Sequence, residues 1–437
     1  MQILRHIAPI AKNAAKMIRS VLWLRPAVFS LVVVLVAVTI AGVDGYVRAE
    51  VFSWLPPIPQ AATEGLLRLV AGSMLTVTTV ALSVLMLVLS LTAGQASPRV
   101  VPELMADDAT QNALSTFVAT FVFGLAAMLL IGMGAIHAAG ITLTFFFTLL
   151  LAIAAIGYLV YWIHHVADSL KLTRITNRVF QQAEATLEAY LRKAGTTDAE
   201  WQGTKGAPDC QIRPIRTGYI QLVDENQLDE LANDCGLRID VAVQEGDFIH
   251  PESILIRVSG RHELDGETID QMRDAVVVGT ERNAEGDPLL GFELLAEIGC
   301  RALSPGVNDP QTAITCIRYI GSLLARAAKA PPEDYPGPIT SSGKVRLPRP
   351  QFENFLKRAI RPLVRDGAAS AEVVVAILDI LVNLAGSCAD PYRKALGAEG
   401  QRTLEYASAR LKLAADKKAI EEKGRDLQRR LAGSAVA

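Results

Sequence analysis

The pattern of apolar and polar positions changes character near residue 165. Before that point the chain is a series of long uncharged apolar runs: Pro26–Val43, Leu69–Ala93, Ala113–Ile136 and Ile141–Ile163. About 20 apolar residues in a helix cross a bilayer core, so each run predicts a transmembrane helix. The second run holds 25 residues without a charge. It also carries Thr76, Thr79, Ser83 and Ser90, spaced so that their hydroxyls share one helical face. The third run sets Thr116, Thr120 and Gly124 at steps of four, a small-residue stripe that lets helix backbones approach.

After residue 165 the runs shorten and charge returns. A charged helix is expected from Val166 to about Lys193, then a polar break at Gly195–Asp209. Gly218–Val223 reads as a strand. Asp224 is placed to cap a short helix that Gly236 ends, and Leu237, Ile239, Val241 and Val243 alternate as a half-buried strand. Glu245-Gly246-Asp247 turns the chain into a further strand at Ser253–Val258, so 214–260 predicts a small sheet with one helix. Helices follow at Gly266–Val276, Leu290–Leu303 and Asp309–Ala328, the last with Asp309 as N-cap and Pro310 in its first turn. Lys329–Gln351 contains six prolines and reads as an extended loop. Phe352–Val364 is helical. Ala371–Gly386 is apolar but short and holds Asp379, so it reads as a buried core helix rather than a fifth span. Gln401–Leu431 reads as one mixed-charge surface helix able to self-associate.

The resulting fold class is an α-helical membrane protein: four transmembrane helices plus a cytoplasmic α+β domain. Its expected parts are an interfacial amphipathic helix (1–25), the transmembrane domain (26–165), a connecting helix and linker (166–213), the α+β domain (214–328), a Pro-rich loop (329–351) and a helical C-terminal region (352–437). Charge sets the orientation. Met1–Arg25 has five Lys or Arg and no acid, the intervening loops have few cations, and Lys171, Arg174 and Arg178 follow the last run. Cations gather on the cytoplasmic side, so both termini are expected there, in a plasma membrane. The bilayer is then the first partner.

Composition agrees: 437 residues, 51% hydrophobic, mean hydropathy +0.29. The net charge of −2 argues against a nucleic-acid partner. Five cysteines, all after residue 165, lack metal-ligand spacing, and nothing calls for a metal or a cofactor. No Asp, Glu, Lys or Arg lies inside the four runs, which argues against an ion-coupled carrier.

Two places could carry function. The first is the hydroxyl face of Thr76, Thr79, Ser83 and Ser90. It reads either as packing surface or, around the axis of a homo-oligomer, as pore lining. The second is the loop after Arg301, where Ser304, Asn308 and Asp309 open a helix. Free N–H groups at a helix N-terminus attract anions. Arg282 and Arg301 would add charge if the fold gathers them. The competing reading is a helix corner whose polar residues cap helices.

Gly94-Gln95-Ala96-Ser97-Pro98-Arg99 after the second run and Arg301-Ala302-Leu303-Ser304-Pro305-Gly306-Val307-Asn308-Asp309-Pro310 together resemble the bacterial membrane proteins grouped as domain of unknown function 2254. The resemblance runs from about Arg25 to Ala385. It departs at Ala96, where the family has a phenylalanine within the motif. It implies a multi-pass plasma-membrane protein and supplies no reaction, substrate or cofactor.

The expected function is therefore an oligomeric, channel-like passive pathway controlled by its cytoplasmic domain. The alternative is a membrane-anchored sensor or scaffold whose cytoplasmic domain binds an anionic ligand or a partner. An inner-leaflet enzyme has the weakest support, because no nucleophile stands beside a base.

Overall fold

The computed structural model describes residues 23–44, 58–95, 107–169, 172–194, 201, 208–260, 263–329, 339–348, 350–388 and 390–433. The expected amphipathic segment before Trp23, the residues Ala96–Arg99 and most of the Pro-rich loop lie outside this set. The chain divides into two compact units, residues 1–174 and 175–437.

Unit one holds helices α1 (Leu24–Asp44), α2 (Gln60–Gln95), α3 (Asp108–Gly132) and α4 (Ala138–Ser169). All four are long and apolar enough to cross a membrane. α2 begins nine residues before the apolar run at Leu69. Its first turns, Gln60 to Arg68, are polar yet helical, with Gln60 bonded to Glu64 one turn on. α3 is the central helix, the most enclosed of the four, whereas α1 and α4 leave most of their apolar surface exposed. Its small-residue stripe explains this position. Thr116 and Thr120 are buried, and a Cβ on Gly124 would stand 2.8 Å from the Ala71 Cβ on α2. Around this close approach Leu67, Phe123, Ala127 and Ile141 fill the interior, and Phe147 meets Phe123 edge-on at 4.8 Å.

Unit two opens with α5 (Leu172–Ala194). Ile175, Val179, Ala183 and Leu187, at steps of four, form its buried face. In the adjacent stripe, Phe180 stacks on Tyr319 at 4.5 Å, and Arg326 holds both Glu184 and Glu188. A β module follows. Strands β1 (Cys210–Ile212), β2 (Gly218–Val223), β3 (Arg238–Val241), β4 (Phe248–Ile249), β5 (Ile256–Ser259), β6 (Val276–Gly279) and β7 (Val345–Arg346) form two sheets. One has the order β1-β5-β3-β7, the other β4-β2-β6. Helices α6 (Glu225–Asp234) and α7 (Gly266–Asp274) accompany them. Asp224 caps α6 by accepting from the N–H groups of Asn226 and Gln227, and Gly236 takes φ +66° just past its end.

The module is larger than the expected 214–260. The residues after Asp274 form strand β6 antiparallel to β2, where a helix to Val276 was expected. The run Val276-Val277-Val278 is β-branched throughout, which favours the pleated sheet. β7, more than a hundred residues on in sequence, pairs in parallel with β3.

The helical part comprises α8 (Leu290–Ala302), α9 (Pro310–Ala327), α10 (Phe352–Gly367), α11 (Ala371–Ser387), α12 (Asp390–Arg410) and α13 (Ala414–Gly433). α11 is a core helix: Val373, Val374, Ile377, Leu378, Leu381, Leu384 and Ala385 are buried, and Lys423 neutralises Asp379. The single C-terminal helix expected at Gln401–Leu431 is instead two helices that turn at Leu411–Leu413. α13 folds back inside the same chain, with Ile420, Gly424 and Leu427 buried. Its apolar stripe is spent on α11 and α12 and is not displayed for a coiled coil.

Candidate functional site

The loop Ser304–Asp309 is built from its own hydrogen bonds. α8 stops at Ala302, whose carbonyl accepts the Asp309 N–H at 2.7 Å. Ser304 accepts the N–H groups of Val307 and Asn308 through its carbonyl, and its hydroxyl donates to the Arg301 carbonyl. Asn308 takes φ +50°, a left-handed conformation that asparagine tolerates better than most residues. Asp309 then caps α9. Its carboxylate accepts the Thr312 N–H at 3.1 Å and the Thr312 hydroxyl. These bonds, the hydroxyl first, hold the carboxyl below the usual carboxylate range. Pro310 has no N–H to offer. The N-terminus of α9 thus carries an anion already, supplied by the chain itself, and an incoming anion would meet the Asp309 charge.

Ser304, Asn308 and Asp309 come together in this loop, and Arg301 stands beside it in the last turn of α8, 3.8 Å from Glu297. Arg282 is not brought to them. Its guanidinium binds Glu293, in the first turn of α8, and eight residues of helix separate Glu293 from Arg301, about 12 Å along the axis.

Arg282 belongs to a different arrangement that sequence reasoning missed. Its Nε donates to Oδ2 of Asp287 at 2.6 Å, and its Nη1 reaches Glu293, which also takes Arg358 from α10. Asp287 is 1% exposed. Its Oδ1 accepts the N–H groups of Leu289 and Leu290 and so starts α8. Burial pushes this carboxyl up, and the Arg282 charge opposes that shift. Gly246 makes room: a Cβ there would lie 2.0 Å from Oδ2 of Asp287. The cluster joins the β module to the helices. The visible signal was Asp287-Pro288 just before an apolar run, a helix-start pattern.

The thiols beside the loop are protonated. Burial pushes Cys316 up to about 12, and burial with the nearby Asp366 carboxylate raises Cys300 as well. Neither offers the thiolate that a nucleophilic site needs.

In unit one, Thr76, Thr79, Ser83 and Ser90 are all exposed on the outer surface of the helix bundle. Within the chain, the stripe that packs is that of α3, where Thr116 and Thr120 are buried. Thr76, Thr79 and Ser83 each donate to the carbonyl four residues back, at 3.2, 3.0 and 2.9 Å. Gly65 and Gly72 lie along the same helix with open space where a Cβ would stand.

Residues 19–383 match the family described as predicted membrane protein, DUF2254. The chain belongs to this family. The match takes in all four apolar helices, the β module and α8 to α10, and it ends within α11. Two curated relatives, uncharacterized proteins of Mycobacterium bovis and Mycobacterium tuberculosis, are each 26% identical to this DUF2254 chain over 341 residues. The aligned stretch is 76% of this chain and 65% of theirs, so it spans just under two thirds of the relatives' length. No solved structure matches the chain.

Proposed function

We propose that this DUF2254 protein is a homo-oligomeric passive pathway across a bacterial inner membrane, with the outward face of α2 turned toward a neighbouring copy or the assembly axis. The observation that carries the reading is the exposure of Thr76, Thr79, Ser83 and Ser90 on the outside of the bundle. An α-helix facing only lipid has no use for a file of hydroxyls and glycines. In a bilayer, small and hydroxyl residues concentrate where helices meet or where water runs. One four-helix bundle with a filled interior cannot enclose a channel, so the pathway needs several copies around an axis.

The cation excess at both ends of unit one supports cytoplasmic termini and a cytoplasmic second unit, which would control the pathway. The sensor reading, with an anion at the Ser304–Asp309 loop, has less support, because Asp309 occupies the helix N-terminus that such a ligand would need.

Purified protein in proteoliposomes tests the reading. Cysteines at Thr79 and Ser83 should cross-link between copies, and Ser83→Leu should change solute or ion flux by several-fold. Absence of both cross-links and flux would overturn it.

A further inference from the structure

Three turns of unit two, Leu303–Asp309, Ala368–Ser370 and Leu411–Leu413, lie at one end of its helices. Side-chain contacts fix the directions. Arg358 on α10 pairs with Glu293 at the start of α8, and a Cβ on Gly367 would stand 3.3 Å from Leu303 just past the end of α8, so α8 and α10 run parallel. The Phe352 and Tyr392 rings meet at 4.6 Å and Arg361 holds Glu399 at 2.6 Å, so α12 runs parallel to α10. Lys423 meets Asp379, and a Cβ on Gly386 would lie 3.6 Å from Arg430, so α13 runs parallel to α11. α8, α10 and α12 therefore end where α9, α11 and α13 begin. This end is remote from the β module, which meets α8 at its first turn through Arg282 and Asp287.

Apolar side chains are left uncovered here. Among the described residues of α8 to α13 and the turns between them, the large apolar side chains that stand exposed are Val307 (46%), Tyr406 (39%) and Leu413 (66%). Val307 and Leu413 are in the turns themselves, and Tyr406 is near the end of α12. Single exposed apolar residues need no explanation, but a group of them at one end marks a contact surface.

The charges indicate what covers it. Arg402, Arg410, Lys412, Lys417 and Lys418 surround Tyr406 and Leu413 in sequence, and none of the five is paired with an acid among the described residues. Elsewhere in the same helices Arg358, Arg361, Arg365 and Lys423 each hold a carboxylate. Of the acids at this end, Asp309 is bonded to Thr312 and Asp366 to Arg365, which leaves Glu372, Glu405 and Asp416 without a cation.

We propose that this end of unit two rests on a bilayer surface rich in anionic phospholipid, with Val307, Tyr406 and Leu413 in the headgroup layer and the five cations against phosphates. Apolar tips among Lys and Arg fit such a surface, because the side chains enter the interface while the cations meet negative headgroups. Lysine stems lie along the apolar layer and keep their ammonium groups in the polar one, and tyrosine concentrates at the same depth. The centre of a protein interface is poor in lysine, so Lys412, Lys417 and Lys418 beside Leu413 favour lipid over a protein partner. The inference rests on the chain being a membrane protein and not on the pathway reading.

Full-length protein in lipid nanodiscs tests this, with benzoylphenylalanine replacing Leu413 or Val307, or replacing Ile215, an exposed apolar residue next to the β module. After irradiation, mass spectrometry of the labelled peptide shows what was captured. In an equal mixture of phosphatidylcholine and phosphatidylglycerol, the probes in place of Leu413 and Val307 should capture phospholipid several-fold more than the probe in place of Ile215. In phosphatidylcholine alone that capture should fall several-fold, and Arg410→Glu combined with Lys412→Glu should lower it likewise in the mixture. If one probe variant does not fold, the other carries the comparison. Capture of a second copy in place of lipid, no lipid capture, equal capture at Ile215, or a yield indifferent to phosphatidylglycerol would each overturn the proposal.

Discussion

The guanidinium of Arg282 lies against the carboxylate of Asp287, Nε to Oδ2 at 2.6 Å, with Asp287 1% exposed. A charge so enclosed persists only with its partner in place. Removing one member of a buried pair typically costs about 3–5 kcal/mol, because the other is left uncompensated. Arg282→Met should cost about that much, since both Asp287 and Glu293 lose their main cation and Arg358 retains only Glu293. Denaturant unfolding of the full-length protein in mild detergent measures it. A loss under about 1 kcal/mol, the size of an exposed pair, would show that the cluster is not a structural join.

Gly291 makes a second test of how unit two is assembled. A Cβ at this position would stand 2.2 Å from the Ala183 Cβ and 2.9 Å from its Cα. The Cα cannot swing aside as the tip of a flexible side chain can. Gly291→Ala should therefore push α5 from α8 and destabilise by about 1–3 kcal/mol, the usual cost of overpacking. Gly→Ala inside a helix normally stabilises by about 0.5–1 kcal/mol, so a measured destabilisation has the opposite sign to the intrinsic preference. A gain in melting temperature would contradict the close approach.

The same comparison can be made within the bundle. Gly124 faces Ala71 across the α2–α3 contact, whereas Gly72 has open space around its Cβ position. Gly124→Leu should lower the melting temperature of the detergent-solubilised protein and loosen α3. Gly72→Ala, with room for the methyl group, should leave it unchanged or raise it, by at most about 1 kcal/mol, the intrinsic helix gain of alanine over glycine. Equal effects at the two positions would mean that α3 is not seated on α2 through its small-residue stripe.

Local chemistry was legible where the cause lies within one turn of chain. Asp309 before Pro310, Asp224 before Glu225, and Gly236 after Cys235 each set a helix end through neighbours a few residues away. The four apolar helices were legible because a bilayer demands an uncharged run of fixed length. Contacts between distant segments were not. Arg282 could have met any acid in the chain, and its choice of Asp287 and Glu293 depends on where β6 delivers it. β7 is two residues long and pairs with β3 across more than a hundred positions, which no periodicity records. The turn at Leu411–Leu413 has no glycine or proline to announce it, so one helix was expected where two pack. The outward aim of the α2 hydroxyls was also hidden. A stripe shows that a face exists, while the neighbours that could cover it decide which way it looks.

Asp309 allows a prediction in which pH supplies the control. Its carboxyl sits below the ordinary range because the ionised form accepts the Thr312 hydroxyl and N–H at the start of α9. A depressed carboxyl stabilises the fold above the unfolded-state value, about 3.9, and loses that contribution as pH falls through the folded-state value. At neutral pH Asp309→Ala should cost about 1 kcal/mol, the usual size of a lost N-cap. Asp309→Asn should cost less, since the amide oxygen still accepts the Thr312 N–H, although the charge at the positive end of α9 is gone. The gap between wild type and Asp309→Asn should then close as pH is lowered from about 5 toward 3, because wild type gives up the same charge. Denaturant midpoints of both proteins across this range measure it. A gap that stays constant with pH would mean that the hydrogen-bond geometry, and not the charge, is what Asp309 brings to the loop.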